Sequence, residues 1–283
     1  MVDRGAISLV DAGDGRRLER FGPRLVDRPQ PGAIEQRARP GAWAAADLRF
    51  DRERGWTGRA DAAESWLVEA AGLTLELRAT ASGGVGLFPE QLANAAWLEG
   101  EIREGASGRP DTSAERRTIL NLFAHTGWLT LVAVRAGAAV THVDAARGAV
   151  AWARRNANLS RLAGAPIRWI VDDAAAFVRR EARRGRHYDG ILLDPPSYGH
   201  AGSGDWRLER DLPGILEACA TVAAPTAFVL LTEHSAAVEA DWLVGEIRAA
   251  FPRLARSLDA GPLELEAESG ASLRLGTAIR AAG

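Results

Sequence analysis

The sequence predicts an α/β protein in two parts. Residues 1–108 read as an N-terminal arm and small β-rich subdomain, and residues 109–283 as a larger domain on a mostly parallel sheet with a C-terminal antiparallel hairpin. Three observations carry this. After Ser113, short apolar runs alternate with helical stretches. Those runs are apolar throughout, as strands covered on both faces are. The tail "LELEAESGASLRLGTAI" alternates apolar and polar residues on both sides of Ser269-Gly270, which reads as a hairpin.

Taken in order, the first forty residues are rich in Arg, Gly and Pro and show no helical period, so they read as an irregular or strand-containing arm. From Trp43 to Phe88, "SWLVEA" and "LTLELRAT" alternate as short antiparallel strands would. "EQLANAAWLEGEI" reads as a helix and "GASGRPDTS" as a linker. Then "TILNLFA" is a strand, and "WLTLVAVRAG" a helix buried against the sheet with Gly137 at its C-cap. "AAVTHVD" is a second strand, and "AARGAVAWARRNANLSRL" an amphipathic helix burying Ala146, Val150, Ala153 and Ala157. "PIRWIVDD" is a third strand, followed by a helix ending at Gly185. "YDGILLD" is a fourth strand, Glu209–Ala220 a helix, and "TAFVLLTEH" a fifth strand.

Composition narrows the chemistry. With 47% hydrophobic and 25% charged residues the chain reads as soluble, and no apolar run approaches the length of a membrane helix. "MVDRGAISLV" does not read as a signal peptide, so a cytoplasmic protein is expected. Cys219 is the only cysteine, the five histidines are scattered, and no metal site is expected. The chain has no lysine, which excludes Schiff-base chemistry and a P-loop. A net charge of −2 is not that of a general nucleic-acid binder, although Asp14–Pro29 and Ala182–His187 are locally basic. Each patch reads either as a solvated face or as a phosphate contact.

Ligands of open α/β sheets bind beyond the carboxyl ends of the strands. After the first strand, "NLFAHTGW" offers Gly127 alone where a dinucleotide fingerprint has three glycines, so the ligand need not carry a pyrophosphate. Backbone amides and Thr126 suit an amino-acid and nucleoside ligand; a structural turn reads equally well. Asp144, after the second strand, suits two ribose hydroxyls or a helix N-cap. Of Asp172 and Asp173, one caps the next helix and the other accepts an adenine amino group, and Asp173 is the preferred adenine partner. After the fourth strand comes "DPPSYGH". Pro195 and Pro196 end the ladder and stiffen the turn, the Asp194 carboxylate and nearby carbonyls present acceptors, and Tyr198 presents a stacking face.

Together these segments resemble the S-adenosylmethionine-dependent methyltransferases related to the bacterial 23S ribosomal RNA cytosine-C5 and guanine-N7 enzymes, whose sheet is Rossmann-like. "NLFAHTG" is similar to the family's first turn, with His125 in place of Tyr, and "DPPSYG" matches its D-P-P-x-[FY] motif. "GLFPEQLANAAW" is similar to a preceding family segment, keeping Phe88 and Gln91 but lacking its Arg. The resemblance covers roughly Trp66 to Ser235. It implies S-adenosylmethionine near Asn121, Phe123, Ala124, Thr126, Gly127, Asp144, Asp173 and Asp194, with Phe88 and Gln91 contributing. It implies Asp194, Pro195, Pro196 and Tyr198 as the catalytic turn, and RNA as the substrate.

Two departures bear on the chemistry. The family's RNA-binding PUA domain is not recognisable in the first hundred residues. The family's cysteine follows the fifth strand, where this chain reads "LLTEHSA", and Cys219 reads as a buried hydrophobe. Carbon methylation needs that thiolate. Transfer to nitrogen or oxygen remains, and a base nitrogen of RNA is the expected acceptor, with Asp194 or His234 taking the proton. The alternatives are a methyltransferase acting on a protein or small molecule, and a non-catalytic binding module. The oligomeric state stays open, a homodimer included.

Overall fold

The fold is that of a computed structural model, which describes residues 7–107, 116–201, 204–235 and 238–283. Two compact units make up the chain: Met1–Leu92 with Glu264–Leu275, and Ala93–Leu263 with Gly276–Gly283.

The first unit begins with three strands where the sequence has no clear period: β1 (Ile7–Gly13), β2 (Arg16–Phe21) and β3 (Arg24–Pro29). Two-residue turns join them. Asp14 and Gly15 both have positive φ, 51° and 72°, as a type I′ hairpin requires, and Gly22 at 60° precedes Pro23 in the second turn. The basic patch Asp14–Pro29 is this meander, and Arg16, Arg17 and Arg28 within it pair with buried carboxylates. Arg28 donates two bonds of 2.6 and 2.8 Å to the buried Glu19 carboxylate. Buried Asp27 pairs with Arg16 and, at 3.0 Å, with Arg49. Arginine at buried positions breaks the alternating hydrophobic signal, which is why the strands are hard to read from sequence.

A helical turn, α1 (Pro40–Trp43), leads to β4 (Leu48–Asp51) and β5 (Gly55–Gly58). The five strands form one sheet in chain order, antiparallel except for β3 beside β4. β6 (Trp66–Ala70) and β7 (Leu73–Leu77) pair as an antiparallel hairpin, as their alternation predicts.

The second unit opens with α2 (Leu92–Ser107); from residue 108 onward the expected linker lies outside the described residues. Strand and helix then alternate: β8 (Thr118–Leu122), α3 (Trp128–Arg135), β9 (Ala139–Asp144), α4 (Arg147–Leu159), β10 (Ile167–Val171), α5 (Ala174–Arg183) and β11 (Tyr188–Leu193). A hairpin of β12 (Tyr198–Ala201) and β13 (Gly204–Arg207), α6 (Leu208–Val222), β14 (Ala223–Glu233) and α7 (Ala240–Ala250) follow, then β15 (Leu258–Glu266) and β16 (Ser272–Ala281). The β12–β13 hairpin and α7 are not anticipated from the sequence. The first lies in a Gly-rich stretch with no alternating apolar pattern.

The central sheet has the order β10-β9-β8-β11-β14-β16-β15. Its first five strands are parallel, and β16 runs antiparallel to β14. Leu120 and Leu122, Ile191 and Leu193, and Val229 and Leu231 alternate into one buried core with Phe177 of α5, Leu216 of α6 and Ile247 of α7. On the expected α4 face, Val150, Ala153 and Ala157 are buried, whereas Ala146 is the exposed N-cap. In the second basic patch, Arg184 pairs with the buried Glu181 at 2.9 Å, as does Arg168 of β10 at 3.0 Å.

Two glycines set close approaches. A Cβ on Gly190 of β11 would lie 2.3 Å from the Phe228 ring on β14. One on Gly276 of β16 would lie 1.8 Å from the Glu233 carbonyl oxygen, a backbone atom that cannot move aside.

Gly276→Ala is expected to destabilise the protein by about 1–3 kcal/mol through overpacking. Gly100→Ala, at an open helical position, is expected to stabilise it by up to ~1 kcal/mol. Urea unfolding of both variants checks the contrast.

Candidate active site

Because β10, β9, β8, β11 and β14 are parallel, their carboxyl ends share one edge of the sheet. The loop after β8 is conformationally unusual. Phe123, His125 and Gly127 all have positive φ, 55°, 47° and 89°, alternating with residues that do not. Left-handed conformations at two non-glycine residues cost on the order of 1–3 kcal/mol each and persist only where surroundings enforce them. Here the Ala124 amide donates to the Val143 carbonyl at 3.1 Å, and the His125 amide to Asp144 Oδ2 at 2.8 Å. Asn156 of α4 donates through Nδ2 to the Thr126 carbonyl at 3.0 Å. Gly127 has no side chain because a Cβ there would lie 2.9 Å from that of Ala153 on α4.

Beneath the loop runs a buried polar chain. Asn121 Nδ2 donates to Thr130 Oγ1 at 2.9 Å, and that hydroxyl lies 2.9 Å from His142 Nδ1. Burial, reinforced by the nearby His125 and Arg154, pushes the His142 imidazole down to about 3, so it is neutral at physiological pH. Asn121 and Thr126, both expected near the ligand, are buried at this level, while Ala124 and Phe123 sit in the loop above.

Asp144 ends β9 half-buried. Its Oδ2 takes the His125 amide and its Oδ1 the Ala146 amide at 2.8 Å, so the carboxylate ties two strand-end loops together without being the α4 N-cap. Asp173 is the N-cap of α5, accepting from the Ala176 amide at 2.8 Å through Oδ1, whereas Asp172 pairs with Arg180.

Asp194 ends β11. Its Oδ1 accepts from Thr232 Oγ1 at 2.5 Å and lies 2.9 Å from His234 Nε2. The buried Glu233 between those two residues turns elsewhere: Ser197 Oγ donates to its Oε1 at 3.0 Å and the Ser235 amide to its Oε2 at 2.7 Å. Burial raises the Glu233 carboxyl above its ordinary range; the Ser235 and Ser197 bonds and His234 oppose the rise, and Asp194 adds to it. Burial lowers His125, which feels Asp144, Asp194 and His234.

Pro195 is buried and Pro196 exposed. The Pro196 carbonyl accepts from Trp206 Nε1 at 2.6 Å, and the Trp206 ring packs 5.1 Å from that of Phe123, joining the β8 and β11 loops. Tyr198 is 79% exposed. Phe88 and Gln91 belong to the first unit, at the 3₁₀ turn Pro89–Gln91. Cys219 is fully buried in α6, and burial raises its thiol pKa. Sequence reading treats His234 as a lone histidine; its pairing with Asp194, and that of Ser197 with Glu233, join residues 36 to 40 positions apart.

Among the described residues, no group of three or more His, Cys, Asp or Glu is placed to hold a metal, and no helix is long and apolar enough to cross a membrane. The family model described as S-adenosylmethionine-dependent methyltransferase matches residues 29–271. The crystal structure of the SAM-dependent methyltransferase from Agrobacterium tumefaciens is 34% identical, with a TM-score of 0.88 over 98% of this chain and 90% of that one. SMU.776 complexed with SAH shares the fold at 17% identity, with a TM-score of 0.74 over 95% of this chain and 72% of its own. The ribosomal RNA large subunit methyltransferase K/L of Syntrophotalea carbinolica is 36% identical over 124 residues, 43% of this chain but 17% of that protein. This chain thus matches less than a fifth of that relative's length.

A buried neutral histidine makes stability pH-dependent. His142 titrates at about 3 when folded against about 6.5 when unfolded, so its contribution is intact above pH 6.5 and lost as pH falls toward 3. The slope is about 1.4 kcal/mol per pH unit. The stability advantage of wild type over His142→Leu is expected to shrink by ~2 kcal/mol between pH 7.5 and 5.0 in urea titrations.

Proposed function

The chain belongs to the S-adenosylmethionine-dependent methyltransferase family, and from that premise we propose that it methylates a base nitrogen of RNA, specifically of large-subunit ribosomal RNA. S-adenosylmethionine is the cofactor and supplies an electrophilic methyl group on a sulfonium sulfur. The donor set at the strand ends fits it. Asp144 and Asp194 bring carboxyl groups to one edge alongside a His125 that burial keeps from charging, a setting that favours a sulfonium and an ammonium and disfavours a pyrophosphate.

In this reading Asp144 receives the ribose hydroxyls, held in place by the two amides that already bind it. The strained Phe123–Gly127 loop receives the amino-acid portion, with Asn121 and Thr126 supporting it from below. Asp173 caps α5 with one oxygen and accepts the adenine amino group with the other.

The observation that carries the acceptor assignment is the β11 turn. It places a hydrogen-bonded carboxylate, two prolines and an exposed Tyr198 together at the strand end. An aromatic face of this kind suits an unstacked base. The only thiol is buried and hard to ionise, which disfavours carbon as the acceptor. A nitrogen lone pair needs mainly alignment and somewhere for its proton to go. The names of the ribosomal relatives support RNA as the substrate class.

Two measurements test this. Calorimetric titration with S-adenosylmethionine is expected to saturate for wild type and to weaken at least tenfold in Asp144→Ala, the loss of a paired hydroxyl contact being worth about 1.5–3 kcal/mol. Labelled methyl transfer to an in-vitro transcript of large-subunit ribosomal RNA is expected, falling steeply as salt rises, with roughly a hundredfold or greater loss in Asp194→Ala. Label appearing in protein or small molecules instead would overturn the RNA assignment.

A further inference from the structure

A cationic cleft lies at the amino ends of the parallel strands, on the edge of the sheet opposite the candidate active site. Thr118, Ala139, Ile167 and Tyr188, the first residues of β8, β9, β10 and β11, all line it, and its volume is about 730 Å³. Among the described residues around it are Arg168, Arg184, Arg186 and His187, with Glu181 the one carboxylate. Three guanidiniums against one carboxylate leave the lining two positive charges in excess before His187 is counted. We propose that this cleft is a phosphate-binding site, filled by a backbone phosphodiester of the RNA substrate that flanks the target nucleotide. The source of the phosphate rests on the RNA reading above; the anion site does not.

Glu181 organises the arginines rather than cancelling them. Its buried carboxylate accepts from the Tyr188 hydroxyl at 2.7 Å, from Arg168 Nη1 at 3.0 Å and from Arg184 Nη1 at 2.9 Å. One buried acid thus holds two cations, one from β10 and one from the C-cap of α5. Each gives that acid one nitrogen, and the two side chains stay 47% and 56% exposed, so donors remain for a second anion. Asp189, which follows Tyr188, is turned to Thr118, whose amide and hydroxyl donate to it at 2.8 and 3.0 Å. The last carbonyls of α5, which would repel an anion, accept from the amides of Arg184, Gly185 and Arg186.

A flanking phosphate suits this cleft better than a small free anion. Pockets for small ligands enclose most of the ligand. Here the arginines and His187 stand exposed, so a chain can enter and leave. β8 spans five residues from the cleft to the loop at Phe123–Gly127, about 17 Å at the rise of a strand. The two edges therefore cannot hold the same nucleotide. At the ~3.4 Å spacing of phosphates along one strand of a duplex, the separation corresponds to about five nucleotides.

Inorganic pyrophosphate tests the site without RNA. In an NMR titration the ring signals of His187 are expected to shift saturably, with the midpoint raised about fivefold in Arg186→Gln and further in Arg184→Gln/Arg186→Gln. Arg186→Gln leaves the Glu181 pairs intact, so its result does not depend on how that cluster repacks. No saturable shift in wild type, or an unchanged midpoint in both variants, would overturn the site.

The ribosomal RNA transcript tests the source of the phosphate. The double variant is expected to bind it about tenfold more weakly and to lower the slope of log affinity against log salt by about 1. Arg248→Gln, at an exposed position on α7, measures general charge loss and is expected to keep the slope and weaken binding less than about twofold. Equal losses in Arg248→Gln and the double variant would overturn the RNA source. So would pyrophosphate binding with transcript affinity unchanged in the double variant, which assigns the cleft to a small phosphate ligand. If wild type neither binds nor methylates RNA while His187 still responds to pyrophosphate, the proposed function falls and the anion site stands.

Discussion

The ring of Phe228 lies where a side chain on Gly190 would be, and this close contact lets β11 and β14 run side by side in a fixed parallel register. Leu193 pairs with Leu231 at the end of that register, so Asp194 emerges beside Thr232 and within reach of His234. A slip of one residue would turn every side chain on the strand to the opposite face. The acid and the histidine would then no longer meet. On the far side of β14, Gly276 seats against the Glu233 carbonyl and fixes the same strand end from the other direction. Backbone packing in the middle of the sheet thus sets side-chain chemistry at its edge.

The same logic runs through the cofactor side. Asp144 holds the β8 loop by the His125 amide and the start of the β9 loop by the Ala146 amide. The left-handed residues Phe123 and His125 are sustained by this carboxylate, by the Val143 carbonyl and by the packing of Phe123 on Trp206. A carboxylate anchored by backbone amides is preorganised: it does not have to be drawn out of water to meet a hydroxyl.

Much of this was legible in the sequence because strand runs covered on both faces are apolar throughout, and Pro-Pro after an acid marks a strand end. The parallel sheet, its closing antiparallel strand and the acid at the end of β11 follow from those rules. The opening meander did not, because Arg16, Arg17 and Arg28 stand where apolar residues would reveal a strand, their charges answered by Glu19 and Asp27. Ser197 with Glu233 and Asp194 with His234 were also out of reach. Spacing along a chain says nothing about partners brought together by a crossover through α6. Asn121 illustrates a subtler limit. The family resemblance implies a place near the ligand for it, and its side chain is buried and spends its amide on Thr130.

The single cysteine has a use that its chemistry does not advertise. Cys219 is wholly enclosed on α6, in the core shared by α5, α7 and the sheet, and no second thiol exists in the chain to confuse a signal. A thiol-reactive reagent can reach it only when that layer opens. The rate at which such a reagent modifies the native protein is then a clock for the breathing of the α5–α7 face, intrinsic to the sequence and needing no engineered probe.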